Sequence, residues 1–379
     1  MDCVNEALRQ YRDCNVLVTG HTGFKGAWLC VWLSELGARV SGLALAAHTQ
    51  PNLYGAARVA RDVTDIRCDI TDYGAVVAAM RAVSPEIVFH LAAQPLVRRS
   101  YWEARATFET NFMGTVNVLE AVRHVPSVRA VVHVSTDKCY ENKGAHYAYS
   151  EDDALGGHDP YSASKAAAEL AFSSFGRSFY SSPASTVGTA SGRAGNVIGG
   201  GDWAEDRVVP DCVRAIMEAR TIVIRNPTAV RPWQHVLEAL SGYLTLGGEL
   251  LAGNRAVSGA WNFGPDPTNT KTVADLVDAF TRAWGEGAWK FEQEKTSAHE
   301  AAYLTLSNRK ARDRLGWWPR WDFSETVRRT AQWYRDFAQG ADARELCLAD
   351  IHAYTQRDHA PWEWHVMHAA NADVRRVDV

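Results

Sequence analysis

The chain has 379 residues, of which 46% are apolar and 22% are charged, and its net charge is −4. This composition is typical of a globular protein long enough for two lobes, and it excludes the strongly basic surface of a nucleic-acid-binding or membrane-surface protein. No apolar run is long enough to span a membrane and the first 13 residues lack a signal-peptide core, so we expect no membrane association. The seven cysteines are scattered without a C-x-x-C pair, which predicts reduced thiols in the cytoplasm and no metal site.

The first predicted strand leads directly into a glycine-rich turn. Residues 15–19 form a short apolar strand, the turn is Gly20-His21-Thr22-Gly23-Phe24-Lys25-Gly26, and a helix is predicted over about 23–36. A G-x-x-G-x-x-G turn between a strand and a helix is a variant of the dinucleotide-binding motif. Its glycines let the backbone approach a pyrophosphate, which the helix N-terminus then stabilises. The turn therefore predicts a bound dinucleotide cofactor.

The second predicted strand, over about 39–45, leaves the choice of cofactor open. A carboxylate at the end of this strand usually binds the adenosine ribose of NAD, whereas a nearby arginine accommodates the 2′-phosphate of NADP. The sequence there is Ala44-Leu45-Ala46-Ala47-His48, which contains neither residue type. This position therefore does not distinguish NAD from NADP.

Strands and helices continue to alternate after this point. We predict strands over 65–68, 87–91 and 130–134, and helices over 73–83 and about 107–122. This alternation is typical of an α/β protein with a Rossmann-like, doubly wound parallel sheet, in which ligands bind outside the carboxyl ends of the strands. The cofactor contacts predicted at those ends are Asp69, Ile70, Leu91, Ala92, Ala93 and Ser135.

The strand over 130–134 ends in a group of reactive side chains. Ser135-Thr136-Asp137-Lys138 follows it directly, so hydroxyl, carboxylate and amine groups fall where a ligand is expected. A helix is predicted to begin at Pro160, and Tyr161 and Lys165 share one of its faces because they are four residues apart. Such a pair alone would more often line a surface helix, but the glycine turn and the strand-end side chains favour a site. An ammonium lowers the pKa of a nearby phenol, so we expect Tyr161 to act as a base.

The chain changes character after a predicted strand over 186–194, because residues 195–203 are rich in glycine. Later helices are predicted over about 209–219, 236–250, 272–283 and 324–337, with short strands such as 221–224 between them. We predict a nucleotide-binding domain over 1–194, with part of 221–265 as a candidate completion, a smaller α/β lobe over 195–357, and an extension of unassigned role over 358–379. The irregularly spaced His352, His359, His365 and His368 indicate a loosely packed tail and not a zinc site.

Taken together, these motifs resemble the extended short-chain dehydrogenase/reductase family and, within it, the CDP-D-glucose 4,6-dehydratases. The resemblance runs from about residue 14 to about 356, and beyond the glycine turn and the Tyr161–Lys165 pair it is carried by residues 89–98, 136–140, 193–203 and 231–235. Lys138 is the most specific of these residues, since related dehydratases for other nucleotides typically have Glu there. The resemblance implies NAD as cofactor, a nucleotide-sugar substrate bound by residues 195–357, and a cytoplasmic homodimer.

The resemblance also implies a reaction. Tyr161, assisted by Lys165 and the Thr136 hydroxyl, would take the proton of the sugar 4-hydroxyl while the C4 hydride passes to NAD. The resulting 4-ketone acidifies the C5 proton, which a base removes while Asp137 protonates the departing 6-hydroxyl. The hydride then returns to C6. Lys138 stands where the base of related dehydratases would be.

Lys138 has three open roles. An ammonium cannot accept a proton, so Lys138 can be the base only as a neutral amine, beside a protonated Asp137. Alternatively, a charged Lys138 stabilises the enolate while water or Tyr161 removes the proton, or it only hydrogen-bonds the cofactor or a carbonyl. Neighbouring residues of an extended strand face opposite sides, so both side chains reach one substrate only if the backbone turns at Thr136.

The resemblance implies substrate contacts for Gln94, Arg98, Asn196, Arg207, Arg231, Gln234, His235 and Glu300. Arginines offer paired donors suited to a diphosphate, although for Arg207 a surface salt bridge is an equal alternative. Other functions on such a scaffold are a nucleotide-sugar 4-epimerase or reductase, a dehydratase for another nucleotide-hexose, and a non-catalytic nucleotide sensor. An epimerase needs Tyr161 and Lys165 but not Asp137 and Lys138, so the latter two residues distinguish these functions.

Overall fold

The structure, a computed structural model, describes residues 3–144, 147–182, 185–266, 270–292 and 303–356. Its strands are β1 (Asn15–Thr19), β2 (Arg39–Ala44), β3 (Val63–Arg67), β4 (Ile87–His90), β5 (Ala130–Ser135), β6 (Ala148–Tyr149), β7 (Gly188–Ala194), β8 (Val197–Ile198), β9 (Ile222–Ile224), β10 (Val230–Arg231), β11 (Gln234–His235), β12 (Gly259–Phe263), β13 (Lys271–Thr272), β14 (Trp289–Phe291) and β15 (Thr305–Leu306). Seven of them form one sheet in the order β12-β7-β5-β4-β1-β2-β3, with every neighbouring pair parallel. The predicted α/β doubly wound fold is confirmed.

Helices cover both faces of this sheet. They are α1 (Cys3–Leu8), α2 (Phe24–Glu35), α3 (Leu53–Ala56), α4 (Tyr73–Val83), α5 (Val97–Trp102), α6 (Ala104–Phe108), α7 (Gly114–Val122), α8 (Pro160–Phe175), α9 (Val208–Met217), α10 (Val236–Leu251), α11 (Val273–Trp284), α12 (Arg309–Leu315), α13 (Phe323–Ala338) and α14 (Ala343–Gln356). Apolar residues of α2 and α10 pack in one core and those of α4 and α7 in another. Every residue of β5 is buried, as expected for a parallel strand covered on both sides.

A π-helical turn, Glu109–Met113, interrupts the helix predicted over about 107–122 and separates α6 from α7. Asn111 lies in this turn and is buried. Its amide nitrogen donates to the backbone oxygen of Gln94 at 3.1 Å and to the Ser164 hydroxyl at 2.9 Å. The turn therefore connects the loop after β4 to α8. Such turns are frequent at functional sites.

Residues 195–233 together with the helices α11 and α13, here called the smaller unit, pack their apolar side chains in the same core as those of α2 and α10. Strand β12 belongs to the segment 221–265 and lies beside β7 in the main sheet, five residues in parallel register. Part of that segment thus completes the sheet, while the proposed division of the chain into domains stays a prediction.

The end of the described chain is packed, contrary to the loose tail predicted around His352. Helix α14 buries Cys347, Ile351 and Tyr354 against the core that contains α2. His352 itself is half exposed, and its Nε2 lies 2.8 Å from the Glu35 carboxylate on α2. Apolar residues spaced along one helical face produce this docking. The predictions for His359, His365 and His368 lie outside the described residues.

Three further observations concern only the described ranges given above. No helix there combines the length and apolarity needed to cross a membrane. No group of three or more His, Cys, Asp or Glu side chains in those ranges is arranged to hold a metal ion. The cysteines whose side chains are described are buried thiols without disulfide partners.

Candidate active site

A cavity of about 620 Å³ lies outside the carboxyl ends of the main sheet. Its walls come from the glycine turn, from the loops after β2, β3, β4 and β5, from α8, and from segments of the smaller unit around 195–210 and 229–233. This is where an open parallel sheet binds its ligands. A dinucleotide and a second ligand can therefore meet here.

The glycine turn has little room for side chains at two positions. Gly20 has φ of +76°, and a Cβ there would lie 2.7 Å from the Ala92 nitrogen. A Cβ on Gly26 would lie 2.2 Å from the Gly20 oxygen. Helix α2 begins at Phe24, directly after the turn, so its N-terminal NH groups and dipole face the cavity. The turn is therefore compact, and glycine is required at both positions.

The strand ends supply a continuous wall next to this turn. Asp69, Ile70, Leu91, Ala92, Ala93 and Ser135 all line the cavity, as do Thr22, Gly23, Phe24 and Lys25. The Thr19 hydroxyl accepts from the backbone nitrogens of Leu91 and Ala92, both at 3.1 Å, which fixes the end of β4 against the turn. The buried Ser135 hydroxyl has no partner among the described residues. A buried hydroxyl without a partner is available to donate to a ligand. The predicted NAD contacts are therefore compatible with this wall.

The backbone turns directly after β5. Residues Asp137–Cys139 form a 3₁₀ turn, and the Thr136 hydroxyl accepts from the Lys138 nitrogen at 3.3 Å. The sequence analysis required a backbone turn at Thr136 for Asp137 and Lys138 to reach one substrate. This turn provides it, and both residues line the cavity. Without it, alternation along an extended strand would have placed them on opposite faces.

Asp137 is almost completely buried at the cavity wall. One carboxylate oxygen, Oδ1, accepts from the Thr136 hydroxyl at 3.1 Å, and the other, Oδ2, has no partner among the described residues. A Cβ on Gly195 would lie only 1.8 Å from Oδ2. Only glycine therefore fits at the first residue after β7, and the carboxylate is held between two strand ends.

Tyr161 and Lys165 project from the first turns of α8 into the same cavity. Asp159 caps this helix, since its Oδ1 accepts from the Ser162 nitrogen at 2.9 Å. Lys165 Nζ donates to the Val134 oxygen of β5 at 3.1 Å, and burial lowers the pKa of its amine to about 8. The helix cap and the lysine anchor together fix the two side chains beside β5.

The expected lowering of the Tyr161 pKa is wrong for this structure. Burial raises the pKa of the phenol to about 12, and the Asp137 carboxylate acts in the same direction. A hydrogen bond with Thr136 and the positive charge of Arg207 offset only part of this effect. Spacing of four residues brings the amine and the phenol to one cavity, but it does not include the cost of burying a phenolate.

Three arginines predicted to hold the substrate line the cavity. Arg207 Nη1 lies 2.7 Å from the Asp202 carboxylate, so the salt-bridge alternative is observed, but inside the cavity wall and not on an open surface. Arg98 Nη1 lies 3.3 Å from Asp206, and Arg231 is buried with Nη1 donating to the Val230 oxygen at 2.9 Å. Arg207 lies close enough to the glycine turn for its charge to lower the pKa of Lys25.

Asn196 also faces this region, with a left-handed backbone (φ +44°). Its buried side-chain oxygen has no partner among the described residues. A strained asparagine with a free acceptor at a cavity wall is a plausible contact for a sugar hydroxyl. Its predicted role in substrate binding fits its position.

Three other predicted substrate residues are placed differently. Gln234 and His235 do not line the cavity: the Gln234 amide donates to the oxygens of Gly195 and Phe263, at 3.1 and 2.9 Å, and His235 is buried as the cap of α10. Gln94 does line it, but its amide is occupied by Leu96 and Thr107. In this structure Gln234 and His235 hold the scaffold, and their predicted substrate contact stays a prediction. Glu300 lies outside the described residues.

Asp202 and Asp206 are cavity residues to which sequence reasoning gave no role. Each pairs with an arginine of the wall, Asp202 with Arg207 and Asp206 with Arg98. Asp206 also lies 2.9 Å from Arg225 and has a left-handed backbone (φ +59°). The signal available in the sequence was the glycine-rich run before Asp202, which marks an irregular loop able to approach a ligand.

Comparison with known proteins places the chain among sugar-nucleotide enzymes. The GDP-mannose 4,6 dehydratase family matches residues 17–330. A CDP-glucose 4,6-dehydratase of Salmonella typhimurium is 47% identical over 344 residues, covering 89% of this chain and 95% of that protein. A dTDP-glucose 4,6-dehydratase of Streptomyces antibioticus is 31% identical over 331 residues, covering 85% and 92% respectively.

Solved structures share the architecture. A UDP-glucose 4-epimerase of Thermus thermophilus in complex with NAD superposes with a TM-score of 0.72 at 26% identity. The match covers 84% of this chain and 98% of that chain. The overall fold of this chain is thus similar to that of a protein solved in complex with NAD.

Proposed function

Since the chain belongs to the GDP-mannose 4,6 dehydratase family within the extended short-chain dehydrogenases/reductases, we propose that it removes water from CDP-D-glucose to give CDP-4-keto-6-deoxy-D-glucose. The observation that carries this function is the convergence of Tyr161, Lys165, Asp137 and Lys138 on one cavity beside the glycine turn. CDP-glucose is chosen because a dehydratase named for it is 47% identical along 89% of the chain. This family membership confirms the resemblance first drawn from the motifs.

The cofactor is NAD, bound by the glycine turn and the strand ends. When bound, it would supply the acceptor for the C4 hydride and the donor that returns this hydride to C6. Gly20 and Gly26 let the turn pack tightly against Ala92 and against itself, and the N-terminus of α2 would stabilise a pyrophosphate beside it. The free Ser135 hydroxyl and the small residues Ala92 and Ala93 form the remaining contacts.

Tyr161 takes the proton of the sugar 4-hydroxyl. Its phenol hydrogen-bonds Thr136, which orients it toward the cavity. Lys165 supports the phenolate through its charge while it is held to the Val134 oxygen. Because burial disfavours the phenolate, this positive charge is needed at the moment the proton leaves the sugar.

Asp137 protonates the departing 6-hydroxyl. Its Oδ2 is buried at the cavity wall and has no partner among the described residues, which leaves it open to a leaving oxygen. Lys138 follows on the same 3₁₀ turn and lines the same cavity, and we assign it the step at the C5 proton. The arginines Arg98, Arg207 and Arg231, with Asn196, hold the diphosphate and the sugar.

The domain roles follow from these assignments. Residues 1–194, completed by β12, bind NAD, and residues 195–357 bind the sugar nucleotide. The chain forms a homodimer through α8 and the α6–α7 segment, which present Phe108, Met113 and Leu170 to solvent. Its buried, unpaired thiols favour a cytoplasmic location.

One incubation tests the function. The full-length protein is mixed with CDP-D-glucose and catalytic NAD⁺, and the sugar nucleotide is followed by mass spectrometry. Loss of one water without net NADH is expected, whereas an unchanged mass with an altered sugar configuration indicates the 4-epimerase alternative. UDP-, dTDP- and GDP-glucose in parallel reactions identify the nucleotide, and equal rates with all four would contradict the assignment of CDP-glucose.

A further inference from the structure

The wall at the end of β2, where the adenosine ribose of a dinucleotide belongs, contains no carboxylate. Ala44, Leu45 and Ala46 line the cavity there and offer only backbone and methyl groups. Since a carboxylate at this place normally both binds the ribose hydroxyls and repels a 2′-phosphate, its absence leaves the choice between NAD and NADP to other groups.

An arginine stands next to this position. Arg67 is the last residue of β3 and is in parallel register with Ala44. Its Nη1 donates to the Leu45 oxygen at 2.8 Å, and its side chain is 43% exposed. The same Leu45 oxygen accepts from the Thr22 hydroxyl of the glycine turn at 3.0 Å. Leu45 lines the cavity whereas Arg67 does not, so the guanidinium lies just behind this wall, one carbonyl from the cavity.

The guanidinium is already paired with an acid on its own strand. Arg67 Nη2 lies 2.7 Å from Asp65 Oδ2. Tyr54 donates its hydroxyl to the same oxygen at 2.6 Å, and His21 Nε2 lies 2.9 Å from Oδ1. Although burial raises the pKa of Asp65, these hydrogen bonds and the charge of Arg67 lower it overall. Asp65 thus keeps a full negative charge beside the arginine.

Other charged groups near this end of the cavity do not replace the pair. Burial lowers the pKa of His48, the next cavity residue along the chain, so its ring is neutral at neutral pH. Arg99 lines the cavity but its Nε lies 2.8 Å from the Glu103 carboxylate one helical turn away. Arg67 is the cation that the strand register places beside Ala44.

We propose that the Asp65–Arg67 ion pair sets the preference for NAD over NADP in this chain. Arg67 is the group that a 2′-phosphate would contact, and Asp65 opposes that contact by holding the guanidinium and by repelling the phosphate. The carboxylate that discriminates between NAD and NADP would thus lie on strand β3 in this chain and not at the end of β2. This inference rests on the proposed function, because it concerns the same cofactor site.

Equilibrium binding tests this proposal without any turnover. NAD⁺ and NADP⁺ are titrated by calorimetry into the full-length protein freed of nucleotide, and the ratio of the two dissociation constants is compared among variants. In Asp65→Asn, which keeps the shape of the side chain, NADP⁺ binding should strengthen about fivefold relative to NAD⁺, the size of effect typical of one partly exposed charge. In Arg67→Gln, NADP⁺ binding should weaken about fivefold while NAD⁺ binding changes less than about twofold.

Arg309→Gln is the matched control, because Arg309 belongs to an exposed pair with Asp313 on α12, which contributes no residue to the cavity wall, and it should leave the ratio unchanged. A ratio that stays constant in both Asp65→Asn and Arg67→Gln would overturn the proposal while the proposed function stands. Equal weakening of both cofactors in Asp65→Asn would also overturn it, since Asp65 would then act only by holding His21 in the glycine turn. If neither nucleotide binds the unaltered protein, the proposed function fails together with this inference.

Discussion

A buried ion pair beneath the candidate site provides the strongest test of how the scaffold holds the reactive side chains. Glu169 lies on α8, one turn after Lys165, and its Oε2 is 2.6 Å from Arg193 Nη2 on β7. The two side chains are only 2% and 5% exposed. Arg193 also donates to the Tyr140 hydroxyl at 2.8 Å, next to the turn that carries Asp137. The pair therefore joins α8, β7 and the end of the reactive segment.

We expect Glu169→Gln to lower the free energy of unfolding by about 3 to 5 kcal/mol, because it leaves the Arg193 charge buried without a counter-charge. That loss is a large part of the roughly 5 to 15 kcal/mol by which most domains are stable. The double variant Glu169→Gln/Arg193→Met removes the stranded charge, so it should be more stable than the single variant. Urea denaturation followed by tryptophan fluorescence measures all three proteins.

The matched control is Glu109→Gln, which breaks the exposed Arg105–Glu109 pair at 2.8 Å and should cost less than about 1 kcal/mol. Glu169→Gln should also shift the pH dependence of the rate, because the Glu169 carboxylate raises the pKa of Lys165 against the effect of burial. Loss of that carboxylate lets the lysine discharge at lower pH. An effect of Glu169→Gln on unfolding no larger than that of Glu109→Gln would refute the reasoning.

Three further predictions follow from the same structure. Tyr161→Phe should lower kcat by about 100-fold or more, since a general base is lost, whereas Tyr147→Phe, at an exposed tyrosine, should leave kcat unchanged in the same steady-state assay. Burial lowers the pKa of Lys165 to about 8, so its charge is present below that pH and is lost above it. The kcat should therefore fall as the pH is raised through 8, and a flat profile up to pH 10 would contradict a role for that charge. Burial raises the pKa of Glu238 to about 7, so its contribution to stability is present at low pH and is lost as pH rises through 7. Between pH 5 and pH 8 the urea midpoint of the wild type should therefore fall more than that of Glu238→Gln. An equal change in both proteins would show that Glu238 does not titrate in this range.

The sequence was sufficient to predict the sheet and the cavity because both depend on local patterns. Alternating apolar strands and helices predict a parallel sheet, and polar residues after a buried strand then fall at its carboxyl end. The condition that Asp137 and Lys138 reach one cavity required a backbone turn at Thr136, and the 3₁₀ turn Asp137–Cys139 provides it. Hydroxyl residues often cap short turns, so a change of backbone direction at Thr136 can be predicted from the local sequence.

Properties that depend on contacts between residues far apart in the chain could not be predicted from local sequence patterns. Gln234 is buried because its amide meets the oxygens of Gly195 and Phe263, which are far away in the chain. The raised pKa of Tyr161 reflects burial by the whole cavity wall and not the spacing to Lys165. The spacing of the histidines did not predict helix α14, because its docking depends on buried Cys347, Ile351 and Tyr354. The roles assigned to individual site residues stay predictions.

The central claim is that hydride leaves and returns to the same sugar within one cavity. CDP-D-glucose carrying deuterium at C4 tests this directly, with the product followed by mass spectrometry and NMR in the presence of unlabelled NAD⁺. The account predicts that the label reappears on C6 of the 4-keto-6-deoxy product, with no net formation of NADH. Deuterium that stays at C4, or label released to solvent or left on the cofactor, would contradict it.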